Sequence, residues 1–146
     1  MFSPMRRLAL LLLVLLAACG GEEGDKLVID TGEGDVEVPV EVADSRGERQ
    51  VGLMNRESLP EDSGMVFLFP EPTTGGFWMK NTLIPLSIAF YGRDGTIVRI
   101  LDMDPCRADP CPIYEPGVAY TAALEVNQGA FARWGVSEGD VVRLER

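Results

Sequence analysis

A chain of 146 residues is about one domain's worth of material, and its 46% hydrophobic and 25% charged residues exclude a fully membrane-embedded or disordered protein. With 13 basic and 23 acidic residues the net charge is −10, a surface that repels phosphate backbones and anionic headgroups, so nucleic acid is not expected as a partner. The chain contains no histidine, which excludes a Ser-His-Asp or Cys-His nucleophile, a histidine zinc site and an HExxH helix.

The chain opens with Arg6 and Arg7, the unbroken apolar run Leu8 to Ala18, and then Cys19-Gly20-Gly21. As a helix that run rises only about 16 Å, short of the roughly 30 Å bilayer core, so residues 1–18 read as an export signal and not a membrane span. The ending Leu16-Ala17-Ala18-Cys19 resembles the lipobox of bacterial lipoproteins, which makes Cys19 the expected lipidation site and the first mature residue. An ordinary signal-peptidase site with an incidental cysteine is the alternative. The expected location is a lipid-anchored position facing the periplasm, on the outer membrane if the host is Gram-negative. Residues 19–25 follow as a flexible tether, and residues 26–146 as a single domain.

Strand signals dominate that domain. Val36, Val38, Val40 and Val42 alternate with Glu37, Pro39 and Glu41, a period of two with one buried face, and Pro39 points to an edge strand or a bulge. Ser45-Arg46-Gly47-Glu48 fits a capping box that opens a short helix through Gln50 and Met54. Met65 to Phe69 is a continuous apolar run between Gly64 and Pro70, consistent with a central strand. Leu86, Ile88 and Phe90 alternate into Tyr91-Gly92-Arg93-Asp94-Gly95, after which Thr96 to Leu101 returns as a β-hairpin. Tyr120, Ala122, Leu124 and Val126 face one way and Thr121, Ala123, Glu125 and Asn127 the other. A short helix from Gly129 to Trp134 stops at Gly135, and Asp140 to Leu144 forms a last strand. The fold class is therefore mainly β, a compact β-barrel or sandwich with one or two short helices.

Cys106 and Cys111 lie in an exported chain, where a disulfide is the simplest pairing. Closing so short a loop contributes only roughly 2 kcal/mol, so its role is to shape the loop. A redox couple has the wrong spacing for CxxC, and zinc lacks two further soft ligands.

Gly52-Leu53-Met54-Asn55-Arg56, Gly64-Met65-Val66-Phe67, Phe77-Trp78-Met79-Lys80-Asn81-Thr82, Ile84-Pro85-Leu86 and Leu124-Glu125-Val126-Asn127-Gln128-Gly129 form an ordered series. That series resembles the bacterial and archaeal domain of unknown function family 192, over about Val38 to Leu144. The resemblance implies a small mainly-β domain and supplies no activity. After the Pro-Leu of its fourth block the family usually carries an aspartate, and here the position is Ser87.

Chemistry and packing compete for the same residues. Lys26 and Lys80 are the only lysines, and if Phe77 to Leu83 is extended, Trp78, Lys80 and Thr82 share one face. With Glu125 and Asn127 they would form a polar pocket with an aromatic wall, suited to a small polar ligand or a sugar. Arg56, Trp78, Lys80, Asn81, Thr82, Glu125 and Asn127 are thus the candidate binding residues. The bland alternative is a buried Lys80–Glu125 salt bridge and a turn held by Asn81. Met54, Met65, Met79 and Met103 are soft enough for Cu(I), but thioethers are ordinary core fillers and Met65 and Met79 sit in apolar strand runs, so core filling is the first reading and a Met-based copper-binding protein the lesser one. Asp102, Asp104, Asp109 and Glu115 crowd the cysteine loop, a weak calcium site or a solvated acidic loop. No motif implies a cofactor. The leading expectation is a membrane-tethered binding or accessory module of the cell envelope. The alternative is a histidine-independent hydrolase using Lys80, Glu125 and Asp102.

Overall fold

The computed structural model describes residues 24–146, so residues 1–18 and Cys19, read above as an export signal and a lipidation site, and the expected tether as far as residue 23 lie outside the described residues. The elements run β1 (Lys26–Asp30), β2 (Asp35–Ala43), α1 (Arg46–Val51), β3 (Gly64–Thr73), β4 (Phe77–Trp78), β5 (Leu86–Tyr91), β6 (Ile97–Met103), β7 (Ile113–Tyr114), β8 (Tyr120–Asn127), α2 (Ala130–Trp134) and β9 (Val141–Glu145). Seven of the strands make one curled sheet, a half-barrel in the order β6-β5-β8-β3-β2-β1-β9, and β4 and β7 form a separate ribbon. The two ends of the curl meet at one corner, where Ile97 donates to Asp140 O at 2.8 Å and Val142 donates to Gly95 O at 2.8 Å.

Pro39 does not mark an edge, because β2 lies between β1 and β3. It is the last β2 residue opposite β1, and Val40 is the first opposite β3, so the missing N–H falls where the strand changes partners. The β2–β3 pairing is parallel. A parallel pair needs a crossover, and the one present carries α1 and the loop through residue 63. The capping box of α1 is complete: Glu48 N donates to Ser45 Oγ at 3.2 Å and Ser45 N to Glu48 Oε2 at 3.0 Å. The helix ends earlier than Met54, at Gly52, whose φ of +48° suits glycine and whose Cβ position lies 3.1 Å from the Phe67 ring.

Both faces of the sheet are covered. Leu27, Val38, Val66, Ala89, Leu124 and Val126 pack with Phe131 of α2 on one face. Met65, Phe67, Leu86, Ile88, Phe90 and Ala123 pack on the other, under α1 and the β4–β7 ribbon. Tyr120 joins this second cluster, not the Ala122–Leu124–Val126 face, because the β3–β8 register shifts between Leu68 and Thr73. Hence the face of β8 that carries Glu125 looks into a second core instead of solvent.

Candidate functional site

The second core is open on one side. Between α1, the segment 73–82 and the β3–β8 pair lies a cleft of about 350 Å³, with Arg46, Arg49 and Gln50 from α1, Phe67, Phe69, Phe77 and Tyr120 along its sides, and Trp78, Thr82 and Glu125. The aromatic walls hold one another edge to face: Phe67–Phe77 at 5.1 Å, Phe69–Tyr120 at 5.5 Å and Phe90–Tyr120 at 4.8 Å between ring centroids. The Tyr120 hydroxyl donates to Gly75 O at 2.6 Å, which ties the 73–76 segment to β8. Burial pushes that phenol up to about 12.

Glu125 stands opposite Met65 on β3 and Ile88 on β5, so its flanks are apolar on both sides. It is 5% exposed. Among the described residues its carboxyl makes no hydrogen bond or ion pair, and no sealed side-chain oxygen lacks a partner, so its oxygens reach the cleft. Desolvation with no compensating charge pushes the carboxyl from 4.5 to about 8, leaving it mostly protonated at neutral pH. Among the described residues it is the only acid in the lining.

Trp78, Thr82 and Glu125 therefore share the cleft, as the sequence places them, but the remaining candidates do not. The chain is extended only at Phe77–Trp78, not on to Leu83. It then turns, with Thr82 N donating to Met79 O at 3.1 Å and Asn81 at φ +56°, and this sends Met79 into the core and Lys80 outward. Lys80 pairs with Asp109 at 3.2 Å, and its Nζ lies 5.7 Å from the Trp78 ring centroid; it makes no pair with Glu125. Asn81 gives its backbone carbonyl to Asn55 N at 2.8 Å. Arg56 forms a two-pronged pair with Glu41 outside the cleft, which lowers the Glu41 carboxyl below its ordinary value. Asn127 donates to Leu59 O at 2.9 Å and Pro60 O at 3.2 Å, a brace for the loop before β3.

The carboxylate pair of the hydrolase reading is not formed. Glu125 is level with Ile88 and Leu101, whereas Asp102 is level with Ser87 and Val126, so the two acids project from opposite faces of the sheet. Ser87 donates to Asp102 at 2.5 Å and accepts from Gly129 N at 2.9 Å, a part-buried clamp between β5, β6 and the turn before α2. Met65, Met79 and Met103 are buried in the second core, while Met54 lines the cleft. Cys106 and Cys111 are joined, with Cα atoms 5.4 Å apart. Among the described residues these sulfurs and Asp109 are the only metal-capable cluster, and the bond between them takes both sulfurs out of it. Asp102, Asp104 and Glu115 do not converge with them.

Sequence reasoning missed Arg46, Arg49, Gln50 and the phenylalanine wall. Arg46 and Gln50 carried a signal only as parts of a capped helix and Phe69 only as part of a strand, while Phe67 stood in a strand and in one of the family blocks.

The model of domain of unknown function family 192, described as Uncharacterized ACR, matches residues 27–144. No curated protein matches the chain. A crystal structure from Sinorhizobium meliloti 1021, described as a candidate transcription regulator, is 34% identical with a TM-score of 0.76, covering 84% of this chain and 97% of that one. A protein of unknown function from Novosphingobium aromaticivorans DSM 12444 is 33% identical with a TM-score of 0.74, covering 81% and 83%. Four of the five blocks that carry the family resemblance supply the cleft: Gly52 to Met54, Phe67, Phe77 with Trp78 and Thr82, and Glu125.

Proposed function

The chain belongs to domain of unknown function family 192, and from that premise we propose that it is a small-molecule binding module, tethered to the envelope membrane through lipidated Cys19. The observation that carries the reading is Glu125: a buried, unpaired carboxyl at an open, aromatic-walled cleft costs stability, and a ligand that bonds it recovers part of that cost. The cleft falls within the roughly 300–1,000 Å³ range of small-molecule sites, and apolar walls with a few convergent polar groups are their usual composition. A sugar is the narrower form of the proposal, with Trp78, 47% exposed at the rim, as its stacking surface. The membrane half rests on the Leu16-Ala17-Ala18-Cys19 ending. An anchor matters here because so acidic a surface gains nothing from anionic headgroups, while each buried lipid CH₂ contributes about 0.8 kcal/mol.

Native purification followed by mass spectrometry of the bound fraction tests the binding half. A co-purifying small molecule lost in a Trp78→Ala, Thr82→Val double variant is the expected result, and a protein that carries nothing and whose melting responds to no compound in a metabolite panel overturns it. For the anchor, Cys19→Ser is expected to accumulate as unprocessed precursor. A released chain beginning at residue 19 without acyl mass overturns that half.

A further inference from the structure

The chemical class of the ligand can be read from the two ends of the cleft, an argument that rests on the binding reading above. One end is the Glu125 carboxyl, flanked by Met65 and Ile88 and aimed at empty space. A carboxyl in such surroundings is neutral, and a neutral carboxyl offers one O–H donor to an incoming carbonyl or ether oxygen. The other end is α1. Arg46 is exposed, lines the cleft, and has no ion pair or hydrogen bond among the described residues. Arg49 is committed to backbone carbonyls, Asp44 O and Leu68 O at 2.9 Å, and lies 5.2 Å over the Phe69 ring. Its charge is therefore positioned against an aromatic wall, outside ion-pair distance of any described carboxylate but within electrostatic reach of Glu48.

A protein of net charge −10 repels anions over most of its surface, and the unpaired Arg46 guanidinium beside the cleft, with Arg49 behind it and partly offset by Glu48, reverses that locally. Between the ends, Phe67, Phe69, Phe77 and Tyr120 supply ring edges and faces whose own polar atom, the Tyr120 hydroxyl, is already bonded to Gly75 O. The middle of the ligand thus meets mainly aromatic rings, with Thr73 and Thr82 also in the lining.

We infer that the cleft binds a flat organic anion, its carboxylate or comparable anionic group at Arg46, its apolar ring among the phenylalanines and a neutral oxygen acceptor at the Glu125 carboxyl. The proton on Glu125 is part of the site: an ionised Glu125 loses its donor and repels the ligand's charge. The charged or titratable groups facing it across the cleft are Arg46, Arg49 and Tyr120; β3, β5 and the 77–82 segment contribute none to the lining. Burial places the Glu125 transition at about 8 and that of Tyr120 at about 12, so of these groups it is Glu125 that changes charge near pH 8.

The test uses the purified full chain and three probes: 4-acetylbenzoate, its neutral isostere 4-acetylbenzamide, and glucose. Affinities come from calorimetry, and location from amide shifts of Gly52 and Thr82 and the Trp78 indole. The anion is expected to bind about tenfold or more tighter than the amide, to lose about tenfold in Arg46→Ala, and to weaken by a similar factor from about pH 6 to about pH 9.5. Glu125→Gln, which keeps an N–H donor, is expected to bind with no such pH dependence. Equal or tighter binding of the amide or glucose at the same resonances, unaffected by Arg46→Ala, overturns the anion assignment and leaves the binding module standing. A pH dependence that persists in Glu125→Gln overturns the role given to Glu125. Shifts confined to residues outside the cleft, or no shifts with any probe, overturn both this inference and the reading on which it rests.

Discussion

Replacing Glu125 by glutamine keeps the shape of the side chain and removes its proton equilibrium. In the folded protein the carboxyl titrates at about 8 against an ordinary 4.5, because Met65, Ile88 and the aromatic walls exclude water without supplying a positive partner. Between those values the unfolded chain has released a proton that the folded chain retains, so stability falls as pH rises and levels off above about pH 8. At about 1.4 kcal/mol per unit, the folded state loses on the order of 4 kcal/mol across that window, and about 3 kcal/mol of it by pH 7. Glutamine is neutral in both states and escapes this loss. Urea denaturation of both proteins at about pH 5, 7 and 9 measures the difference, and the acidic surface, common to both, cancels in it. The variant is expected to match the wild type to within about 1 kcal/mol at the lowest pH and to exceed it by on the order of 4 kcal/mol at the highest. A difference that stays constant to within about 0.5 kcal/mol would refute the claim that Glu125 is buried neutral and unpaired.

Lys80→Met is expected to change stability by less than about 1 kcal/mol, since the Lys80–Asp109 pair is exposed, and a large loss rescued by a second change at Glu125 would restore the buried pair that the structure separates. Ser87→Ala should cost about 1–3 kcal/mol in denaturant melts, because Asp102 loses a donor and Gly129 N an acceptor; a neutral effect would show that the clamp contributes nothing. Alkylation without reductant should label neither Cys106 nor Cys111, and two modified thiols in freshly isolated protein would refute the pairing. Gly52→Ala should destabilise by about 1 kcal/mol or more and shift the Phe67 ring resonances, since the new methyl meets that ring at a positive φ; an unperturbed ring would place α1 further from β3.

What could be read from the chain alone was what neighbours in sequence decide. The alternation from Val36 to Val42, the Ser45–Glu48 box, the Gly92–Gly95 turn and the stop at Gly135 are contests between adjacent residues, and each appears in the structure. The motif blocks likewise identified the family, whose match extends further toward the N-terminus than the blocks did, to residue 27. The pairing of strands distant in sequence was not legible: the parallel β2–β3 contact moves Pro39 from an edge to a change of partners, and the turn at Asn81 separates Lys80 from Thr82. Nor could alternation along β8 reveal that its polar-looking face is buried, because a period of two distinguishes the faces without saying what covers each. Only the crossover through α1 and the β4–β7 ribbon puts a second core over Ala123 and Glu125. That packing turns an ordinary glutamate into a neutral, unpaired acid at an open cleft, since desolvation depends on every chain segment nearby and not on the residues beside it in sequence.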